Sequence, residues 1–111
     1  MATVFRLVFN VPESHLAACK AAIFAAGAGR YPNSSYFECC WTTLGTGQFR
    51  PGESARPFIG TAGSAEAETV AEVRVETPCV GEDIVRQAIT ALKGAHPYEE
   101  PSYQVYRTEQ F

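Results

Sequence analysis

A chain of 111 residues has the length of one compact domain, and 46% hydrophobic against 19% charged residues is the composition of a globular protein. The net charge of −3, the pI of about 5.3 and the lack of a basic run exclude the electrostatic footprint of a nucleic-acid binder. No run approaches the roughly 18 apolar residues of a membrane span, and the N-terminus has no signal-peptide pattern. We therefore expect a cytoplasmic protein that binds neither nucleic acid nor membrane, with one domain over residues 1–111.

The first predicted element is a strand in TVFRLVFNV, because apolar residues occupy alternate positions from Thr3 to Val11. Pro12 and Glu13 then predict the start of a helix, and Gly27 and Gly29 its end. Apolar residues recur in between at helical spacing, which predicts a stripe that lies on the sheet: Leu16, Cys19, Ile23 and Phe24.

The stretch SSYFECCWTT, residues 34–43, alternates again and predicts a second strand. A long irregular segment follows, which we predict as a loop over residues 45–68, because it holds five glycines and two prolines. Four cysteines occur without a CxxC spacing, so we expect buried free thiols rather than a zinc site.

The clearest strand pattern is TVAEVRVETP, residues 69–78. The stretch 81–96 predicts a helix with acidic residues in its first turn, Lys93 in its last turn and Gly94 as its stop. The stretch SYQVYRT, residues 102–108, predicts the last strand.

The predicted order βαββαβ is that of the ferredoxin-like α+β sandwich, a four-stranded antiparallel sheet with both helices on one face. The other face would be bare and half apolar, so we expect it to drive self-association. Its predicted occupants are Val4, Arg6, Val8, Tyr36, Glu38, Cys40, Glu72, Arg74, Glu76 and Tyr106.

Five stretches, in order, resemble the PII/CutA-like domain of bacterial dimetal-binding proteins of the type 2 GTP cyclohydrolase I-like family. They are VPESHLAACKAAIFAAGAGRYPNSSYFECCW, GTGQFRPGE, PFIGTAG, EVRVE and AHPYEEPSYQVY. The resemblance covers nearly the whole chain and implies a PII/CutA-like subunit that forms a homotrimer, with its loops near the clefts between subunits.

That family's host domain holds two metal ions through many histidines and carboxylates, whereas this chain has two histidines, His15 and His96. The dinuclear site and its hydrolase activity therefore do not transfer to this chain. Gln104 is a further departure, because the family more often has an acid there, and it weakens a cation-binding role for that position.

The segment HPYEEP, residues 96–101, admits three interpretations: a connector stiffened by two prolines, a polar cleft between subunits, or a catalytic pair. His96 lies just past a helix C-terminus, where the helix dipole favours its cationic form. In an extended chain His96 and Glu100 are about 13 Å apart, so they could bind a metal only with a neighbouring subunit. Tyr98 and Glu99 complete the candidate cleft, and the connector is the favoured interpretation.

The glycine-rich loop could present backbone N–H groups at Gly45 and Gly47 to a small anion or a nucleotide, although it lacks the phosphate-binding P-loop pattern. Arg50 and Arg56 would add positive charge, and the neighbouring rings of Phe49 and Phe58 could stack on a base. The alternative is a loop that becomes ordered only against neighbouring subunits.

Arg74 stands between Glu72 and Glu76 on one strand face, which predicts an ion-pair ladder within the sheet or across the trimer, or else a ligand contact. The favoured function is a non-enzymatic, trimeric binding or regulatory module. It would take a small anionic ligand or a divalent metal at its subunit clefts, and the divalent metal is the one candidate cofactor. The alternatives are a CutA-like metal-binding protein and an accessory part of a dimetal hydrolase.

Overall fold

The computed structural model describes residues 2–111, so Met1 of the predicted domain lies outside the described part. Strand β1 is Val4–Pro12, a 3-10 turn covers Glu13–His15, and helix α1 is Leu16–Ala25. Strand β2 is Trp41–Phe49 and strand β3 is Glu68–Val80. Helix α2 is Glu82–Ala95 and strand β4 is Tyr103–Arg107.

The four strands form one antiparallel sheet in the order β2-β3-β1-β4. Both helices pack on the same side of it, so the predicted ferredoxin-like α+β fold is confirmed. The core consists of alternate residues of β1 and β3 with the inner faces of the two helices, and its largest fully buried members are Phe9, Leu7, Ile23 and Leu92. Neither helix has the length and apolarity that crossing a membrane requires among residues 2–111.

Helix α1 ends as the glycine pattern predicts. Gly27 has a φ of +107°, a left-handed conformation that favours glycine. The Ala28 amide donates to the Ile23 carbonyl at 3.1 Å, and the Gly27 amide donates to the Phe24 carbonyl at 3.0 Å. These two bonds are the Schellman arrangement, which satisfies the last carbonyls of the helix.

Helix α2 differs from its prediction at one end. Gly94 lies inside the last turn, and the helix continues to Ala95. His96 is then extended, with φ −75° and ψ 138°, because it precedes Pro97, whose ring disfavours helical geometry in the preceding residue. Proline, not glycine, therefore ends this helix.

The predicted second strand is largely wrong in position, since β2 begins at Trp41 rather than at residue 34. Residues 34–40 are irregular, and Glu38 has a φ of +57° that a strand does not contain. The predicted loop also shrinks, because residues 45–49 belong to β2 and pair with β3, which leaves residues 50–67 as the connection. The glycines of β2 are tolerated because pairing with β3 decides the conformation.

The sheet side away from the helices, which we call the open face, is less bare than the sequence predicts. Val4 and Val8 are only 4% and 2% exposed. Val8 lies opposite Glu76 and two residues from Arg6, and the ion pair between these two side chains, 3.1 Å long, passes beside it. The chain's own long side chains thus cover the centre of the open face.

Large apolar side chains remain exposed around that centre. Trp41 of β2 is 66% exposed and Tyr106 of β4 is 52% exposed; register places both on the open face. Tyr36, which the sequence predicts on this face, lies instead in the irregular segment before β2, outside the sheet, where it is 75% exposed. Cys40 instead packs against the core and does not belong to this surface.

All four cysteines are free. Cys19 and Cys79 are buried, as predicted, and burial raises the pKa of each thiol to about 11. Cys39 and Cys40 differ from the prediction because they are only partly buried, in the irregular segment that precedes β2.

Candidate functional site

One cleft of about 490 Å³ lies between the outer end of the β2–β3 pair and the connector that joins α2 to β4. Strand β1 contributes Asn10, β3 contributes Glu72, and the 50–67 connection contributes Phe58. Six of the ten residues predicted for the site line this cleft: Gly47, Phe49, Arg50, Tyr98, Glu99 and Glu100.

The other four predicted residues lie around it. Gly45 and Arg74 line a second depression, which shares Asn10, Gly47 and Glu72 with the first. Arg56 reaches the site through its backbone, because its amide donates to Glu99 Oε1 at 2.9 Å. His96 is buried beneath Tyr98, with the two ring centroids 4.9 Å apart.

A hydrogen bond ties the connector to the sheet across the cleft. The Tyr98 hydroxyl donates to Glu72 Oε2 at 2.7 Å. Burial raises the pKa of Tyr98, and the Glu72 carboxylate raises it further, so the phenol keeps the proton that it donates. Gly47 makes room for this bond, because a Cβ there would collide with the Glu72 carboxylate.

Aromatic rings form one side of the cleft. Tyr98 lies 5.7 Å from Phe49 and 6.3 Å from Phe58 between ring centroids, and both pairs are tilted rather than stacked. Phe58 also meets the His15 ring edge-on at 5.4 Å. Phe58 is 52% exposed, so its ring is available to a molecule that enters the cleft.

The charges in the cleft are mainly negative. Glu72, Glu99 and Glu100 contribute three carboxylates, whereas Arg50 is the one basic side chain among the lining residues within the described chain. The Arg50 guanidinium donates to the Ser64 carbonyl at 3.3 Å and so helps to hold the 50–67 connection. The lining therefore carries a net negative charge.

His96 has the environment of a structural histidine. It is 6% exposed, its Nε2 lies 2.7 Å from the Asn10 carbonyl, and the Tyr98 amide donates to its Nδ1 at 3.1 Å. Both bonds are satisfied by the neutral tautomer with its proton on Nε2, which leaves neither nitrogen free for a metal ion. Burial lowers the pKa of His96, so the cationic form that the sequence predicts is disfavoured.

A metal site at His96 and Glu100 accordingly stays a prediction that requires Nδ1 to give up the hydrogen bond that it accepts from the Tyr98 amide. Within residues 2–111, no group of three or more His, Cys, Asp or Glu side chains is placed to hold a metal ion. Any such site would need ligands from another chain, as the sequence predicts.

Only part of the predicted ion-pair ladder of Glu72, Arg74 and Glu76 is formed, because Arg74 pairs with Glu76 alone. Its Nε lies 3.4 Å from Glu76 Oε2, and the Arg6 Nε lies 3.1 Å from Glu76 Oε1. The bond from Arg6 lowers the pKa of Glu76. Glu72 does not join the network, because it accepts from Tyr98 instead.

Sequence reasoning missed the cleft roles of Asn10 and Glu72. Asn10 is a polar residue on the open-face side of β1, between the buried Phe9 and Val11, and this polarity is the one signal that could have identified it. The strand pattern of the sequence predicts that Glu72 pairs with Arg74. It cannot reveal the bond from Tyr98, because that residue lies 26 positions away in the chain.

Comparison with known proteins agrees with the resemblance. No protein-family profile matches the chain. It is 42% identical over 107 residues to the GTP cyclohydrolase 1 type 2 homolog of Mycobacterium leprae, a match that covers 96% of this chain and 26% of that protein. The chain thus spans about a quarter of the length of the curated relatives it matches.

Solved structures extend the comparison. A Bacillus cereus protein related to NIF3 superposes with a TM-score of 0.80 at 35% identity, covering 99% of this chain and 27% of that one. The divalent ion tolerance protein CutA1 of Ehrlichia chaffeensis gives 0.65 at 13% identity, covering 100% and 86%. GlnK of B. subtilis gives 0.60 at 12% identity, covering 96% and 85%. The predicted resemblance is confirmed, and the last two matches show a shared fold.

Proposed function

We propose, from the premise that this chain is homologous to one segment of the GTP cyclohydrolase 1 type 2 homologs and has the fold of CutA and GlnK, that it is a non-enzymatic binding module. It would assemble as a homotrimer through its open face and take a ligand in the cleft. The observation that carries the proposal is a 490 Å³ cleft lined by six of the predicted site residues, which come from distant parts of the sequence. A single domain and a cytoplasmic location remain part of this proposal.

Self-association is supported by the large apolar side chains that surround the open face. Trp41 and Tyr106 are each more than half exposed on that face, and burying such rings between copies is favourable. The Arg6–Glu76–Arg74 network lies in the same region, and charges at this position would set the orientation of the copies. Burial of Val4 and Val8 means that the rings, rather than the valines, would supply the contact.

The ligand classes that the sequence predicts, a small anion, a nucleotide or a divalent metal, stay predictions. A thermal-shift screen of nucleotides, inorganic anions and divalent metals tests them together, because a ligand that binds the folded state raises its melting temperature. The Tyr98→Ala variant, which loses a cleft wall, should lose any shift that arises in this site.

Assembly is tested by light scattering at micromolar concentration. We expect a mass of three times the chain mass of 12.1 kDa. Trp41→Glu should shift the protein towards the monomer, because it places a charge in the contact. Leu44→Glu is the matched control, since Leu44 is 64% exposed on the same strand but faces the other side of the sheet. A monomeric wild-type protein would refute the assembly.

One alternative is favoured by a specific observation. The curated relatives are about four times longer than this segment, so the chain could act as the accessory part of a dimetal hydrolase, supplied to a separate catalytic protein. Metal analysis of the purified chain tests whether it holds a dinuclear site of its own. Two tightly bound ions per chain would support an enzymatic role for the chain and contradict both the non-enzymatic module and the accessory part. The CutA-like alternative predicts that His96→Ala lowers copper or zinc affinity, and unchanged binding would remove it.

A further inference from the structure

The electrostatics of the cleft oppose the anionic ligand that the sequence predicts. Three carboxylates line it against one guanidinium, and that guanidinium is already bonded to the Ser64 carbonyl. The Arg56 amide is likewise bonded to Glu99. An anion entering the cleft would meet net repulsion, whereas a cation would be attracted.

The aromatic wall favours a particular kind of cation. A ring face attracts an ammonium or guanidinium group within about 6 Å of its centroid, and aromatic cages for such groups use this attraction. Phe49, Tyr98 and Phe58 all line the cleft, and Tyr98 is the neighbour of both others. The Tyr98 hydroxyl bonds to Glu72, so a cation against that ring also lies near a carboxylate.

A bare metal ion gains little from this arrangement. Divalent cations require several oxygen or nitrogen ligands in direct contact with the ion, and within residues 2–111 no three His, Cys, Asp or Glu side chains, the three cleft carboxylates included, are placed to hold one ion together. Apolar rings supply none of those ligands. An organic cation needs only diffuse negative charge and apolar contact, and the cleft offers both.

We propose that the cleft binds a small organic cation, an ammonium or guanidinium group on an apolar body, between the aromatic wall formed by Phe49, Phe58 and Tyr98 and the Glu72 carboxylate. This inference rests on the proposed function, because it names the ligand class of that same cleft. It also replaces the predicted anion with the opposite charge.

The experiment compares choline with 3,3-dimethyl-1-butanol, which has nearly the same shape but no charge. Each is titrated into ¹⁵N-labelled protein of residues 1–111, and amide shifts of residues in the cleft give the dissociation constants. We expect choline to bind at least about ten-fold more tightly than the neutral compound, since apolar contact is common to both, whereas the cation–π attraction of the rings and the charge of the carboxylates favour only the cation. Equal affinities, or no shift with choline up to about 50 mM, would overturn the proposal.

Two variants locate the site. Glu72→Gln removes the charge but keeps an oxygen that can accept from Tyr98, and Phe58→Leu removes one ring from a half-exposed position. Each should weaken choline binding about three-fold or more. Glu109→Gln, an exposed residue outside the cleft, is the control and should have no effect. Choline binding that both cleft variants leave unchanged would place the cation elsewhere and refute the inference.

Different results would refute the organic-cation proposal alone or the binding-module proposal as well. If a nucleotide or metal ion binds in the cleft of a trimer and choline does not bind, the organic-cation proposal is refuted and the binding-module proposal stands. A monomer for which neither choline nor any compound of the screen binds would remove both.

Discussion

Replacing Gly29 with alanine is expected to lower the free energy of unfolding by about 3 kcal/mol or more. Gly29 has a φ of +89°, which strains any residue with a Cβ. That Cβ would also lie 2.9 Å from the Glu38 Cα and 2.9 Å from the Phe24 ring. The backbone cannot move away, because the Gly29 amide donates to the Pro78 carbonyl and its carbonyl accepts from the Cys39 amide, both at 2.8 Å.

Gly94→Ala is the matched control and should change the free energy of unfolding in the opposite direction. Gly94 lies in α2 with ordinary helical geometry and open space around its Cα, so alanine should stabilise the protein by about 0.5–1 kcal/mol. Urea unfolding at one fixed protein concentration measures both variants. A Gly29→Ala protein with the wild-type midpoint would show that the junction between α1, β3 and the irregular segment is not tightly constrained.

Replacing His96 with alanine is expected to cost about 2–4 kcal/mol. The substitution leaves the Asn10 carbonyl and the Tyr98 amide without their buried partners, and it opens a cavity under the Tyr98 ring. Thermal or urea unfolding gives the loss. A cost below about 0.5 kcal/mol would mean that the connector does not depend on this side chain.

His96 should also make the stability depend on pH. Because burial lowers its folded-state pKa below 6.5, the unfolded chain binds a proton first. The contribution of the neutral ring is complete above about pH 6.5, and it is lost as the pH falls from there through the lowered pKa. The melting temperature should therefore drop between about pH 7 and 5.

Variants of the two histidines test whether His96 causes this dependence of the melting temperature on pH. His96→Ala should flatten the fall in melting temperature between about pH 7 and 5, whereas His15→Ala should preserve it, since His15 is only partly buried. Glu76 does not contribute to this fall, because its bond from Arg6 lowers its pKa further below the window. A slope that persists in the His96→Ala protein would assign it to another group.

The element order and both helices could be predicted because their signals are local. The apolar alternation of β1 and β3 and the helical spacing in α2 each follow from a few neighbouring residues. The position of β2 could not be predicted in this way. YFECCW alternates like a strand, yet these residues are held in an irregular path by bonds to distant partners, such as the Thr77 hydroxyl on the Cys39 carbonyl.

The candidate cleft could be predicted only in part. The sequence identified Phe49, Arg50 and the HPYEEP segment as polar and aromatic residues near glycines and prolines, and these do meet in the structure. The net negative charge of the lining was not predicted, because the sequence cannot reveal that Arg50 bonds to the loop or that Glu72 turns towards Tyr98. The helix dipole favours a cationic His96 by about 1 kcal/mol at most at an exposed site, and burial outweighs it here.

The outer part of the β2–β3 hairpin, residues 46–49 and 68–71, extends past the end of β1, in a molecule 49 Å long but only 25 by 23 Å across. Most of β2 is exposed, Leu44 included, so little apolar burial supports its backbone hydrogen bonds. Amide protons of this half of the hairpin should exchange with solvent deuterium through local fraying, well before those at the centre of β1. If neighbouring copies cover this part of the hairpin in an assembly, its amide exchange will slow as the protein concentration rises.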